Sequence, residues 1–201
     1  FLLRELGRTQ NRQLFAFRKT GAFFKTHGEH AAAKLRQQLG YSTREVGMNV
    51  YDDIRRIGAH VFRRKLGNSN ISGLFIRHPT AGKCVLVNYS EDIYRQRFTA
   101  AHEFGHTILD DEEDVIVSFT KWKKGDLVEV RANTFASRYL MPPDFLRQIP
   151  EPTTWNPDKV VQWANQLKVS TEALAYALRD AQLVDEKTAQ TLKGVRVPAE
   201  M

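Results

Sequence analysis

Cysteine is almost missing from this sequence: Cys84 is the single one in 201 residues. No disulfide can close within the chain, and a cysteine-rich metal site is excluded. With no disulfide to maintain, an oxidising compartment is not needed, and the cytoplasm is the expected location. Long apolar runs are missing as well. Nothing approaches the ~20 consecutive apolar residues of a membrane helix, so no membrane partner is expected. The opening Phe1-Leu2-Leu3 gives way at once to Arg4 and Glu5, too short an apolar stretch for a secretory signal. Position 1 is not Met, which suggests a piece of a longer protein. Internal repeats and low-complexity tracts are absent too, which argues against a repeat-built architecture.

What is present is ordinary for a globular domain that buries a core: 42% hydrophobic and 26% charged residues. The net charge of +7 is placed unevenly. Residues 1–65 carry 14 Lys and Arg against 5 Asp and Glu, while the remainder is slightly acidic. Such asymmetry can mark a surface for nucleic acid or an acidic partner. A solvated helical face is the plainer explanation.

The chain reads as helical over residues 1–40, where Ala31-Ala32-Ala33-Lys34-Leu35-Arg36 is a strong helix former ending at Gly40. A short helix over 49–58 follows from Val50, Ile54 and Ile57 on one face. Strands are expected at 60–66, 71–77 and 84–88, separated by the turn clusters Gly67-Asn68-Ser69-Asn70 and His78-Pro79-Thr80-Ala81-Gly82. Helices are then expected at about 92–109, 127–141, 157–167 and 171–181, with the acidic stretch Asp110–Asp114 ending the first and a loop rich in charge and aromatics leading to the second. The helix at 127–141 stops at Met141-Pro142-Pro143.

The chemistry is carried by His102-Glu103-Phe104-Gly105-His106. Residues four apart lie on one face of a helix, so two imidazoles at this spacing can reach one metal ion. Glu103, next to the first, can act on a metal-bound water without being a ligand. Chance would place such a pattern in a sequence of this composition roughly one time in a hundred, so it is a specific signal. Gly105 costs about 1 kcal/mol of helix stability relative to Ala, and a close packing contact would account for it.

A catalytic zinc takes a third protein ligand and leaves a fourth position for water. Glu129 is the best candidate. Ala132, Phe135, Ala136, Tyr139 and Leu140 share its helix face, and a carboxylate on the buried side of a helix wants a partner. Asp110 and its neighbours Asp111, Glu112, Glu113 and Asp114 lie closer to His106, but a block of like charge reads as a solvated loop. His60 and His78 compete less strongly still.

These motifs, Arg97-Phe98-Thr99-Ala100-Ala101-His102-Glu103-Phe104-Gly105-His106 and Glu129-x-x-Ala132-Asn133-x-Phe135-Ala136 ending in Leu140-Met141-Pro142, resemble the ImmA/IrrE family of zinc metallopeptidases over roughly residues 45–183. The resemblance implies an α+β, mostly helical zincin-like domain with a small antiparallel sheet. It implies one Zn2+ per chain bound by His102, His106 and Glu129, with Glu103 catalytic, and a protein substrate, in many members a transcriptional repressor. Asp110 departs from the family pattern, where many members have histidine. Asn133, a characteristic family residue, could hydrogen-bond a ligand or only its own helix.

The expected organisation is a basic helical segment over 1–44, the end of a preceding domain or a linker, then a zinc peptidase core over 45–150 and a helix-turn-helix-like region over 151–201. Strand 83–88 or strand 71–77 is expected to pair with an extended substrate. Tyr139, Arg138 and His78 are candidate donors to the oxyanion. Two other function classes are carried: a DNA-binding regulator, and a non-catalytic partner-binding module of toxin–antitoxin type. DNA is the less favoured partner, because 171–182 offers only Arg179 for phosphate contacts.

Overall fold

The structure, a computed structural model, describes residues 17, 23–67, 70–110, 112–120 and 126–196. Its elements in chain order are α1 (Phe24–Gln38), α2 (Val50–Arg56), β1 (His60–Arg64), β2 (Ile71–His78) and β3 (Gly82–Asn88). There follow α3 (Ile93–Leu109), β4 (Val115–Phe119), α4 (Leu127–Leu140), the single turn α5 (Pro143–Leu146), α6 (Pro157–Leu167), α7 (Thr171–Asp180) and α8 (Glu186–Lys193). This is an α+β fold, as expected. Of the helix expected over 1–40, residues 24–38 are helical, and 1–16 and 18–22 lie outside the described residues.

Local signals set most boundaries. Asp92 caps α3 by accepting from the amides of Tyr94 and Arg95, each at 3.0 Å. Asp126 caps α4 in the same way, accepting from Val128 at 3.0 Å and Glu129 at 3.3 Å. After α1, Gly40 takes a φ of +87°, the left-handed conformation that ends helices at little steric cost.

The four strands lie in the order β1-β3-β2-β4. β2 runs antiparallel to both its neighbours, but β1 runs parallel to β3, with His60 opposite Cys84 and Phe62 opposite Leu86. The sheet is therefore mixed rather than antiparallel. β3 is the most apolar strand and takes an interior place, whereas β1 carries Arg63 and Arg64 and takes an edge, where charge discourages unwanted pairing. β4 was not foreseen; its signal is the β-branched run Val115-Ile116-Val117 inside the charged loop.

This order also corrects the expectation of substrate pairing. β3 and β2 are each hydrogen-bonded on both sides, so neither 83–88 nor 71–77 can accept another strand. The free edges of the described sheet belong to β1 and β4.

Along β2 and β3 the buried side chains alternate, and Gly73, Phe75, Lys83, Val85 and Val87 face α3. On its other side α3 packs against α4, and α1 covers α4 and reaches α3. From Gln96 onward, all but Phe98 of the α3 residues are buried, the pattern of a helix enclosed on every side. Phe104 of α3 meets Phe135 and Tyr139 of α4 edge to face, with ring centroids 5.9 and 5.5 Å away. One cluster of buried apolar side chains runs from Ala31 through these rings to Leu192 of α8.

The α1–α4 approach is unusually close. A Cβ on Gly28 would lie 2.5 Å from the Arg131 carbonyl oxygen and 2.9 Å from the Phe135 amide nitrogen. Both are backbone atoms, so relief requires the helices to part. Gly28→Ala is expected to lower the urea midpoint, by up to about 2 kcal/mol in stability, because overpacking of about 1–3 kcal/mol against two backbone atoms outweighs a helix-propensity gain of about 1 kcal/mol.

Candidate metal centre

α3 brings His102 and His106 one turn apart in the interior, with exposures of 6% and 0%. Their Nε2 atoms stand 3.0 Å apart and the rings meet edge to face. Glu129 arrives from the first turn of α4, whose Asp126 cap fixes the start of that helix. Its Oε2 lies 3.2 Å from His102 Nε2 and its Oε1 3.5 Å from His106 Nε2. One ligand atom from each residue thus lies within 4.8 Å of the others.

The outer nitrogens of both rings are also held. His106 Nδ1 is 2.8 Å from Asp110 Oδ2, and His102 Nδ1 is 3.1 Å from Asn133 Oδ1. A carboxylate or amide oxygen only accepts, so each Nδ1 donates outward, and each Nε2 is the ring nitrogen left available to a metal. Two imidazole nitrogens and a carboxylate then face one another in a buried space, an arrangement that a cation between them would satisfy. The separations suit zinc: with bonds of about 2.0–2.2 Å to nitrogen and oxygen, tetrahedral ligands sit ~3.3 Å apart.

Desolvation by itself would raise the Glu129 carboxyl, but the hydrogen-bonding and charge interactions with His102 and His106 together hold it well below the usual carboxylate range. Glu129 is therefore an anion at neutral pH. Glu103 is pushed the other way. It is fully buried, and desolvation raises its pKa against the opposing influence of His106, His102 and the neighbouring Ser118. Neither of its carboxylate oxygens has a hydrogen-bond partner among the described residues, Ser118 lying beside it without closing a bond of normal geometry. A buried carboxylate left without protein partners beside a cluster of metal-ligating atoms is placed to serve a water or substrate.

The space for Glu103 depends on Gly73 of β2. A Cβ there would lie 2.5 Å from Glu103 Oε1 and 2.7 Å from Thr99 Cγ2. Gly105 has a similar reason: a Cβ would come within 3.0 Å of the Phe135 ring. Sequence reading anticipated a close contact at Gly105 but overlooked Gly73, which looks there like an ordinary strand glycine. The acidic run is corrected at its first residue. Asp110 is 4% exposed and bonded to His106, whereas Glu112, Glu113 and Asp114 are exposed as a solvated loop should be, and Asp111 lies outside the described residues.

The three oxyanion candidates are all engaged elsewhere. Tyr139 is buried and donates to Asp53 Oδ2 at 2.7 Å. Arg138 pairs with Glu29 at 2.6 Å. His78 is exposed at the β2–β3 turn, where its Nδ1 accepts from the amides of Thr80 and Ala81. His60 sits at the start of edge strand β1, outside the metal-ligating group.

A mostly helical α+β domain whose enclosed helix presents two histidines to a glutamate from the next helix is that of a zincin-like metallopeptidase. The profile of the IrrE N-terminal-like domain, a peptidase family, matches residues 54–179, and the chain belongs to this ImmA/IrrE family. Over 100 residues it is 29% identical to the radiation response metalloprotease IrrE of Deinococcus radiodurans, a stretch covering 48% of this chain and 30% of that protein. The chain therefore spans less than a third of that relative's length. Membership of a metallopeptidase family implies a metal, and the His102–His106–Glu129 group could hold it.

Gly73→Ala is expected to displace the Glu103 carboxylate while leaving the three metal-ligating side chains in place. Peptide hydrolysis should fall by roughly a hundredfold, the scale of a 1 Å misplacement, while metal content measured by atomic emission stays at the wild-type level.

Proposed function

We propose that this protein is a zinc-dependent endopeptidase that cleaves a protein partner at a specific site, with one Zn2+ per chain held by His102, His106 and Glu129. The observation that carries the reading is the inward convergence of the Glu129 carboxylate and two imidazole nitrogens, both rings being held by outer partners. Bound there, zinc would lower the pKa of a water to about 7 and polarise the scissile carbonyl. Glu103 would take the water's proton on a carboxylate oxygen and pass it to the leaving amine. Burial of the site excludes bulk water and strengthens each of these interactions.

β4 is the proposed docking strand. It is a free edge, its Ser118 adjoins Glu103, and the antiparallel alternation that bonds the Arg77 amide to the Asp114 carbonyl turns the N–H and C=O of Val115 and Val117 outward. An extended peptide adding to this edge would pass close to the general base. By resemblance to its family, the substrate is proposed to be a transcriptional repressor and the location cytoplasmic. Among the described residues, no helix is long and apolar enough to cross a membrane.

The rival DNA-binding reading gains little. The single basic side chain of α7, Arg179, is tied to Asp180 at 2.7 Å and Glu186 at 3.2 Å, so the recognition helix of a helix-turn-helix would present no free cation to phosphate.

The first test is metal content of protein purified without chelators. Wild type should carry about one zinc per chain and Glu129→Ala much less, while Glu103→Gln should keep its zinc and lose ~10²–10⁴-fold in hydrolysis. No zinc in wild type, even after adding it back, would refute the reading. Val117→Pro removes an outward donor rather than a ladder bond, so cleavage should weaken with zinc retained; unchanged cleavage would remove β4 as the docking strand.

A further inference from the structure

The metal group is anchored by a buried ion pair that no motif reading assigned. Asp110 closes α3 and lies four residues beyond His106, on the same helix face. Its Oδ2 accepts from His106 Nδ1 at 2.8 Å, and its Oδ1 pairs with the Arg131 guanidinium. Asp110 and Arg131 are 4% and 5% exposed. Arg131 belongs to α4, two residues after Glu129, so the pair also joins the two helices that supply the metal-ligating atoms. The guanidinium is itself positioned, with its centre 5.2 Å from the ring centroid of Phe24 in α1.

We infer that Asp110 and Arg131 act together as a positioning pair that fixes the tautomer of His106, committing its Nε2 lone pair to the metal. The inference rests on the metal-site reading above and goes beyond it. A carboxylate has no hydrogen to give, so between an imidazole and a guanidinium it can only accept from both. Arg131 has only donors, and so dictates that whatever atom of residue 110 faces it must be an acceptor.

That asymmetry makes the pair testable by more than loss of function. In Asp110→Asn, Arg131 holds the amide oxygen, which leaves the amide NH2 facing His106 Nδ1. The ring must then accept there and carry its hydrogen on Nε2, where it blocks the metal. Removing the arginine in the same chain frees the amide to turn, so that its oxygen faces Nδ1 and the metal-binding tautomer returns. A pair that merely braced the fold would give the opposite result, since two losses would destabilise more than one.

The experiment is zinc affinity by chelator competition on wild type, Asp110→Asn, Arg131→Met and the double variant, all 201 residues long, with the urea midpoint of each metal-free protein alongside. Asp110→Asn is expected to weaken zinc binding about 10–100-fold, the usual scale for a partner of a metal-bound histidine. Arg131→Met should weaken it less, and the double variant should bind more tightly than Asp110→Asn alone, while its metal-free stability is no higher. Wild-type affinity in Asp110→Asn, or a double variant that binds more weakly than Asp110→Asn, would overturn the inference. Absence of zinc from wild type would instead refute the metal site itself, so the two failures are distinct. If the double variant does not fold, Asp110→Ala gives a second check. It removes the enforced NH2 donor, so its zinc affinity should exceed that of Asp110→Asn, and weaker binding than Asp110→Asn would count against the pair.

Discussion

α3 is a helix with ionisable side chains and almost no contact with water, and the rest of the molecule is arranged around that constraint. Burying His102, Glu103 and His106 between a sheet and a second helix would be prohibitive if their polar atoms were left unmatched. The surrounding elements match them one by one: Asn133 and Glu129 from α4, Asp110 from the end of α3 itself, and Gly73 from β2, which withholds a side chain where Glu103 needs room. Of these three side chains, Glu103 alone has polar atoms without a hydrogen-bond partner among the described residues, which sets it apart from its supports.

Part of the positive charge of the first third is engaged in holding the fold together. Arg36 is buried, bonding the carbonyl oxygens of Tyr139, Ser42 and Glu45. Arg56 spans Asp53 and the Leu39 carbonyl, and Arg63 lies across Gln96 and the rings of Tyr51 and Tyr89. Arg97 of α3 likewise bonds the carbonyls of Gly47 and Met48. Arg36, Arg56 and Arg97 thereby satisfy carbonyls at helix ends and in irregular loops, which lack a ladder or helix partner. A charge count along the sequence cannot separate a cation that does this from one that faces solvent, because both are the same letter.

What was legible in the sequence was whatever has a short-range signature. The His102–Glu103–His106 spacing, the stripe that Glu129 shares, the helix end at Gly40 and the proline stop at 142 all act within one or two helix turns, and the structure has each of these local features. What was not legible depends on partners far along the chain. β3 lies between β1 and β2 because of competition among whole strands for interior positions, so the parallel pairing and the true free edges could not be read from alternation. Asp110 looked like its acidic neighbours because its distinguishing partner, Arg131, lies 21 residues away. Gly73 is informative only once Glu103 of another element is set against it.

Gly28 bears on where the protein begins as a physical object. The family profile starts at residue 54, yet α1 ends well before that and is seated on α4 with no room for even a methyl group between them. It lies against Arg131, Thr134 and Phe135, so the helix carrying Glu129 is covered on that side by a segment outside the recognisable domain. The smallest autonomous unit is accordingly larger than the profile, and a truncation drawn at the profile's edge would cut through the hydrophobic core instead of trimming a tail.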